Sequence, residues 1–333
     1  MTQQAKPDVV LLGDGPTALT ALRSLAMHCR VVRVLRGLDQ PETDPVRAFA
    51  AANDIPVSDL QGLDQLSKLI VDLRPAAVVI SSFHRIIPPQ ILTSSRFINV
   101  HYSLLPQYRG RANVNWAVIN NEDATGISIH LVVPGLDSGN LLFQQAVAIA
   151  PEDTVTSLYE RLNAIQEREL GRVVTNAIAG DQGIPQDAHQ ATYGCTRVPD
   201  DGEINWRQPT AAIDRLIRGL APPFPGAFTY LNGERLMIAR ASAVFDPPAY
   251  VGRVPGRIVG RSAKEGWVDV LTGDGVLRIF SVGTSTCGDP CTPASVIRST
   301  RITLGLSRLD LLRRITALEA RIALLERSER VDE

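Results

Sequence analysis

Lysine is nearly absent from this chain. Lys6, Lys68 and Lys264 are the only lysines, and arginine supplies the rest of the basic residues. That bias reads as genome base composition rather than function. Cysteine is scarce as well: Cys29, Cys195, Cys287 and Cys291 are too few and too scattered for a disulfide framework. Cys287 and Cys291 flank Gly288-Asp289-Pro290, but no second ligand pair lies near them in sequence. Free thiols are expected, and no metal. No apolar run reaches about 18 residues, so no membrane-spanning helix is expected. The first residues lack a charged-then-apolar leader pattern. Charge of one sign is also missing. The formal net charge is -1, which gives no bulk attraction to nucleic acid or anionic lipid. No internal repeat or low-complexity tract is visible. A cytoplasmic protein without a membrane partner is the expectation.

What is present is globular. A chain of 333 residues, 44% hydrophobic and 21% charged, predicts one large or two ordinary domains. Asp8–Leu12 is a short apolar run ending in Gly13-Asp14-Gly15-Pro16, after which Ala18, Leu19, Leu22 and Leu25 recur at helical spacing. Strands are predicted at 31–35, 55–57, 76–81 and 97–100, with helices at 45–53, 63–73 and 89–94 between them. This alternation predicts a Rossmann-like, doubly wound, mostly parallel α/β sheet. A strand pair at 125–132 and 140–149 brackets the turn Pro134-Gly135-Leu136-Asp137-Ser138-Gly139, and one long helix covers 155–178.

From about Tyr193 the texture changes. Short strands broken by Asn232-Gly233, Gly252, Gly256 and Gly273-Asp274-Gly275 follow a short helix at 211–220. They predict a smaller β-rich, OB-like domain, in which Trp206 and Phe224 suit either core packing or stacking. In the tail, Leu311, Ile315, Leu318, Ile322 and Leu325 are spaced 4, 3, 4, 3. That stripe suits either a helix packed on its own chain or a self-association helix, and a homodimer is expected. The expected domains are 1–192, 193–304 and a C-terminal amphipathic helix at 305–333.

The chemistry concentrates between Asn99 and Gly139. Residues i and i+2 of a strand share a face, so Asn99 and His101 point into one site. Asp137 supplies a carboxylate from a turn. An amide that donates to an oxyanion, an imidazole that moves a proton and a carboxylate that polarises it together suit acyl transfer to an amine. Taken alone, His101 also fits a satisfied structural histidine and Asp137 ordinary turn chemistry.

The wider pattern resembles the folate-dependent formyltransferase family, which includes the methionyl-tRNA, glycinamide ribonucleotide and sugar-nucleotide N-formyltransferases. The residues that carry the resemblance are Asn99-Val100-His101, Ser103-Leu104-Leu105-Pro106-Gln107-Tyr108-Arg109-Gly110, Thr125-Gly126 and Gly135-Leu136-Asp137-Ser138-Gly139. It implies 10-formyltetrahydrofolate as formyl donor. It also implies catalytic roles for Asn99, His101 and Asp137. The segment Phe83-His84-Arg85-Ile86-Ile87-Pro88 resembles the loop whose backbone holds the pterin, so Arg85, Ile86 and Ile87 are implied donor-site residues. Val133, Pro134, Gly135, Leu136 and Asp137 would close over the same ring, and Arg111 would contact the donor.

Within the family, Tyr108 to Trp116 and Pro223 to Tyr230 are most similar to sugar-nucleotide enzymes, such as the formyltransferase half of the bifunctional 4-amino-4-deoxy-L-arabinose enzyme of lipid A modification. The implied acceptor is the primary amine of a small molecule, a nucleotide-linked amino sugar. Tyr102 replaces the Gly or Pro of relatives and is expected to reshape the acceptor pocket. The segment Arg36–Pro56 lacks a basic insertion, which with the neutral charge argues against nucleic acid as partner. Methionyl-tRNA and a hydroxylated amino acid of ornithine type are the alternative acceptors. Two other classes remain. One is a non-catalytic formyltransferase-like binding protein. The other is an NADP-dependent oxidoreductase using Gly13-Asp14-Gly15-Pro16-Thr17-Ala18 for the pyrophosphate and Arg33 or Arg36 for a 2′-phosphate.

Overall fold

The protein is described by a computed structural model over residues 5–37, 45–284, 290–306 and 308–329. Cys287, residues 38–44 of the Arg36–Pro56 segment, and the first four residues, where the leader reading begins, lie outside the described residues. The chain divides into two units, Met1–Arg197 and Val198–Glu333.

In the first unit, β1 (Asp8–Leu12), α1 (Gly15–His28), β2 (Arg30–Arg36), α2 (Pro45–Ala52), β3 (Val57–Asp59), α3 (Leu63–Leu73), β4 (Ala77–Ser81), α4 (Pro89–Leu92) and β5 (Phe97–His101) alternate along the chain. The two-residue strand β6 (Arg109–Gly110) and helix α5 (Asn113–Ile119) follow. Then come β7 (Ala124–Leu131), β8 (Leu141–Ala148), α6 (Val155–Ile178) and the short β9 (Tyr193–Gly194), which pairs with β6. The main sheet has the order β3-β2-β1-β4-β5-β7-β8. Strands β1 to β5 are parallel, whereas β7 runs antiparallel to both β5 and β8. The expected mostly parallel doubly wound sheet is present.

Apolar residues fill both faces because helices cover both. Val10, Leu12, Leu35, Val78, Ile80 and Phe97 pack with Leu66 and Ile70 of α3 and Ile91 of α4. On the other face α1 packs against α6. There Gln166, fully buried, donates to the Thr17 carbonyl (2.7 Å) and Thr20 Oγ1 (2.6 Å) and accepts from Ser81 Oγ (3.0 Å). Each polar atom of that amide is bonded, as burial demands. Helix α6 starts at a reciprocal cap between Thr154 and Ser157. The third strand lies at 57–59 rather than 55–57, since Pro56 precedes it and its carbonyl accepts from Val34.

The second unit holds α7 (Thr210–Gly219), β10 (Ala227–Leu231), β11 (Glu234–Ala243), β12 (Ile258–Arg261), β13 (Val268–Leu271), β14 (Val276–Thr284), α8 (Pro293–Val296) and α9 (Arg308–Glu329). Its strands form one antiparallel sheet of order β10-β11-β14-β13-β12. This is the expected β-rich region, followed by the expected terminal helix. Trp206 is buried and donates its indole N–H to Thr229 Oγ1 at 2.9 Å, so it is a core residue of this unit.

Candidate active site

Strand β5 turns Asn99 and His101 to one face, as period-two geometry requires. Antiparallel pairing then brings a residue that sequence reading passed over. His130 of β7 stands directly opposite Asn99, and Ser128 opposite His101. Directly opposed residues share a face, so the β7 alternation Gly126, Ser128, His130 was a legible signal once β7 is paired with β5.

The loop after β7 folds back over this face and delivers Asp137. Its backbone is left-handed at Asp137, with φ +47°, a conformation that aspartate tolerates better than most residues. At Gly139 a β-carbon would overlap the carbonyl oxygen of Leu131, so only glycine lets the loop return this close to β7. Gly126 is required in the same way. A side chain there would collide with Leu104 of the Ser-Leu-Leu-Pro loop.

That loop is wound around Ser128. The Ser128 hydroxyl donates to the Ser103 carbonyl (2.7 Å) and accepts from the Leu105 N–H (3.2 Å), while Gln144 Nε2 donates to the Leu105 carbonyl (2.8 Å). The winding delivers two backbone groups to the site. The Tyr108 carbonyl oxygen lies 2.9 Å from His101 Nε2, and the Gly110 N–H donates to Asp137 Oδ2 at 2.8 Å.

Asp137 is the hub. Its Oδ2 is 3.5 Å from His101 Nδ1, and its Oδ1 is 3.5 Å from His130 Nε2 and 3.4 Å from Asn99 Nδ2. Asn99 Nδ2 also lies 3.2 Å from His130 Nε2. Hydrogen-bond partners bias the tautomers. His101 Nε2 lies 2.9 Å from the Tyr108 carbonyl and 3.0 Å from Asn113 Nδ2; with its proton donated to Tyr108, Nδ1 faces Asp137 as the basic nitrogen. His130 Nδ1 carries a proton donated to the Leu131 carbonyl at 2.8 Å, which leaves Nε2 to accept from Asn99. The second Asn99 N–H has only the long 3.4 Å contact with Asp137, so it is free to turn to an incoming oxygen.

Charges follow from these contacts. Burial lowers the His101 pKa below its ordinary value, against the opposing pull of Asp137 and the Tyr108 carbonyl. The resting imidazole is therefore neutral at pH 7. Burial pushes the Asp137 carboxyl up, but the neighbouring His130 and His101 rings and the Gly110 N–H outweigh it and hold the group down, at about 2. A neutral base thus sits beside a fixed anion.

A further residue absent from sequence reasoning steadies the hub. Gln186 Nε2 donates to the carbonyls of Asp137 (2.8 Å) and Gly139 (2.7 Å), and its Oε1 accepts from buried Arg109 at 2.8 Å. No motif marks Gln186, and it acts across 49 residues of chain.

The other expected site residues fall as follows. Arg111 donates to the carbonyl of His84 and so ties β6 to the 83–88 loop. Arg85 reaches toward the Gln61 carbonyl at 3.4 Å. Ile86 is 81% exposed, whereas the Ile87 side chain packs into the core beside Ile91 and Phe97 and leaves only its backbone for a ligand. Val133 and Leu136 are exposed on the Asp137 loop, on either side of Pro134 and Gly135. Tyr102 is a correction. Its neighbours Asn99 and His101 face the site, but its ring is buried against Tyr159 and its hydroxyl donates to Asn163 of α6 at 2.7 Å. It braces β5 on α6 and does not shape an acceptor pocket. Trp116 similarly donates to the Cys195 carbonyl at 2.8 Å and lies under Arg197.

The first turn does not offer Arg36 to a dinucleotide. The Asp14 carboxylate accepts the Gly37 N–H at 3.0 Å and pairs with Arg36 at 3.8 Å, and Arg36 is fully buried. A guanidinium in that position cannot reach a 2′-phosphate. Among the described residues, no group of three His, Cys, Asp or Glu side chains is placed to hold a metal ion. No helix among them is long and apolar enough to cross a membrane.

Residues 32–174 match the formyl transferase family, and residues 198–301 match the formyl transferase C-terminal domain. The methionyl-tRNA formyltransferase of Pelotomaculum thermopropionicum is 36% identical over 285 residues, which cover 81% of this chain and 89% of that protein. The chain belongs to the formyltransferase family. It is a one-carbon transferase. Two solved structures share the fold of this formyltransferase. HypX from Aquifex aeolicus in complex with tetrahydrofolic acid aligns with a TM-score of 0.62 at 15% identity over 89% of this chain and 48% of HypX. WlaRD, a sugar 3N-formyl transferase solved with dTDP and 5-N-formyl-THF, aligns with a TM-score of 0.59 at 18% identity over 85% of this chain and 99% of WlaRD.

Proposed function

We propose that this formyltransferase moves the formyl group of 10-formyltetrahydrofolate to a primary amine, with Asn99, His101 and Asp137 as catalytic residues. The observation that carries the reading is the position of Asp137. One of its oxygens faces a neutral, basic His101 nitrogen and the other faces the Asn99 amide. The exposed apolar side chains of Ile86, Val133 and Leu136, on loops that otherwise present backbone, fit a flat heteroaromatic donor. Bound there, the folate supplies the activated formyl carbonyl and a nitrogen leaving group.

The chain's own groups do the rest. Asn99 donates its loosely held N–H to the oxygen that becomes negative when the amine attacks the formyl carbon. His101 Nδ1 takes the proton that the attacking amine must lose. Asp137 stabilises the imidazolium so formed and keeps it aimed, while the Tyr108 carbonyl holds the opposite nitrogen. His101 then returns the proton toward the folate nitrogen as the carbon–nitrogen bond to it breaks. His130 orients Asn99 by accepting its other N–H.

For the acceptor, the relatives favour methionyl-tRNA over the nucleotide-linked amino sugar expected from the Tyr108–Trp116 motif. The 36% identity runs through both units. The motif's distinguishing residues are spent on packing, Arg111 on the His84 carbonyl and Trp116 on Cys195 and Arg197. Methionyl-tRNA is therefore the primary reading, and the small-molecule amine the second. A tetrahydrofolate-release assay compares them directly, with methionyl-tRNA, amino-sugar nucleotides and an ornithine-type amino acid as acceptors. Methionyl-tRNA is expected to give the highest kcat/KM. Turnover confined to an amino sugar would restore the second reading, and no turnover with any amine would refute the mechanism.

A further inference from the structure

Among its described side chains, the terminal helix α9 has no buried face. From Leu311 to Ala323 every residue is exposed, and Leu311, Ile315, Leu318 and Ile322 are 43, 50, 54 and 54% accessible. Arg314 reaches the Gly233 carbonyl at 3.4 Å, the outer limit of a hydrogen bond. A 22-residue helix that leaves an apolar stripe in water is marginal by itself, because helices draw most of their stability from a packed face.

The residues around the stripe specify what covers it. In heptad positions, Leu311, Leu318 and Leu325 fall at d, and Ile315 and Ile322 at a. β-branched residues at a with Leu at d favour two parallel strands. The g positions are Arg314 and Arg321, and the e positions are Leu312, Glu319 and Glu326. Leu325 and Glu326 enter here by sequence position alone. When two parallel helices pair in register, each g residue faces the e residue of the next heptad on the other helix. Arg314 then meets Glu319 of the second copy, and Arg321 meets Glu326, twice over by symmetry. An antiparallel pair sets g against g and e against e, which would oppose Arg to Arg and Glu to Glu.

We propose that α9 is one strand of a parallel, in-register, two-stranded coiled coil with a second copy of this chain. The stripe supplies the attraction and the four ion pairs select orientation and partner. Such pairs at a surface contribute little energy each, but reversing them places like charges along the whole seam.

Sedimentation velocity on the full chain tests the state. Wild type is expected at twice the chain mass and Ile315→Asp/Ile322→Asp at the chain mass, with unchanged turnover of a small-molecule amine or methionyl-tRNA as evidence that both units remain folded. The Glu319→Arg/Glu326→Arg and Arg314→Glu/Arg321→Glu proteins are each expected to be monomers alone and to form a 1:1 heterodimer when mixed. Orientation is read by Leu311→Cys, which in a parallel pair gives a disulfide-linked dimer on mild oxidation that wild type does not give. A wild-type monomer, or a dimer indifferent to the Asp pair, would overturn the proposal. So would cross-linking of Leu311→Cys to an Ile322→Cys partner in place of itself, which marks the antiparallel arrangement.

Discussion

On β5 and β7 the residues facing the site are Asn99, His101, Ser128 and His130. On β10, β11 and β13 the buried residues are Ala227, Phe228, Thr229, Leu236, Ile238, Val268, Val270 and Leu271, and the arginines stay outside. Arg235 lies 3.6 Å above the Phe228 ring centroid, Arg240 lies over Phe280, and Arg278 lies over Trp267 while pairing with Asp269 at 2.7 Å. Both regions bury polar groups, but among the described residues those of the second unit are threonine hydroxyls, Thr229 bonded to Trp206 and Thr210 to Thr272, whereas the first buries titratable groups. Burial of a polar group costs free energy unless each donor and acceptor finds a partner. The first unit meets that demand with two imidazoles, one carboxylate, one amide and three backbone groups that satisfy one another. A scaffold has no need of such an arrangement, as the second unit shows. The contrast supports placing the proposed reaction in the first unit and leaving stability or acceptor contact to the second.

The sharpest way to break this contrast is at the base. His101→Ala should lower kcat by roughly 100- to 10,000-fold, the usual worth of a positioned general base. Folate binding, followed by fluorescence titration, should persist. The protonation state behind this prediction is open to NMR. Because burial lowers the His101 pKa, its imidazole should titrate below the ordinary value of about 6.5. Asp137 opposes that lowering, so Asp137→Asn should move the midpoint lower still. An imidazole still protonated at pH 7 would make the resting group a cation and remove the base from the mechanism.

Next in size is the oxyanion donor. Asn99→Ala should lower kcat by about 100-fold or more, equivalent to about 2.7–4 kcal/mol of activation free energy. Full activity in that variant would detach the amide from the chemistry. A smaller loss is expected on removing Gln186, which touches no reacting atom. Its two bonds to the Asp137 loop contribute roughly 1 kcal/mol each, so Gln186→Ala should reduce kcat by about tenfold. The NMR titration of His101 should shift with it, because Asp137 is less firmly held. A Gln186→Ala protein with normal kcat and an unmoved His101 midpoint would show the bond to be structural only.

These residues also mark how far the sequence could be read. Strand alternation put Asn99 and His101 on one face and a short turn held Asp137, but those local signals also fitted structural roles, and it was the longer motif that joined the three into a candidate site. The sheet was legible because its strands are apolar on both faces. His130 needed the β5–β7 pairing, which is a long-range fact, although alternation along β7 would have exposed it. Gln186 carried no signal, since its amide meets Asp137 only after β8, α6 and the return of the chain. Tyr102 was misread for the opposite reason. Adjacency in sequence placed it next to the catalytic face, and the alternation that turned His101 inward turned Tyr102 away onto α6. The Gly-x-Gly turn kept an oxidoreductase alternative open because a buried Arg36 reads in sequence like an exposed one, and only the Asp14 carboxylate opposite it reveals the difference.

The smallest effect should come from the outer face of the second sheet, and it bears on the acceptor. Arg235 and Arg240 are exposed on β11 and each covers an aromatic ring. A cation over a ring at an exposed site is worth about 0.5–1 kcal/mol, so Arg235→Gln/Arg240→Gln should cost about 1–2 kcal/mol in chemical denaturation. Neither residue belongs to the catalytic constellation, so kcat at saturating substrate should stay at the wild-type value. If methionyl-tRNA is the acceptor and its phosphates meet this face, KM for it should rise, and the dependence of KM on salt should become shallower by about one unit of logarithmic slope for each lost contact. KM for the folate should not move. An unchanged KM and salt slope for methionyl-tRNA would make the second sheet a scaffold alone, and the contrast between the two units would then be one of chemistry against support rather than of chemistry against recognition.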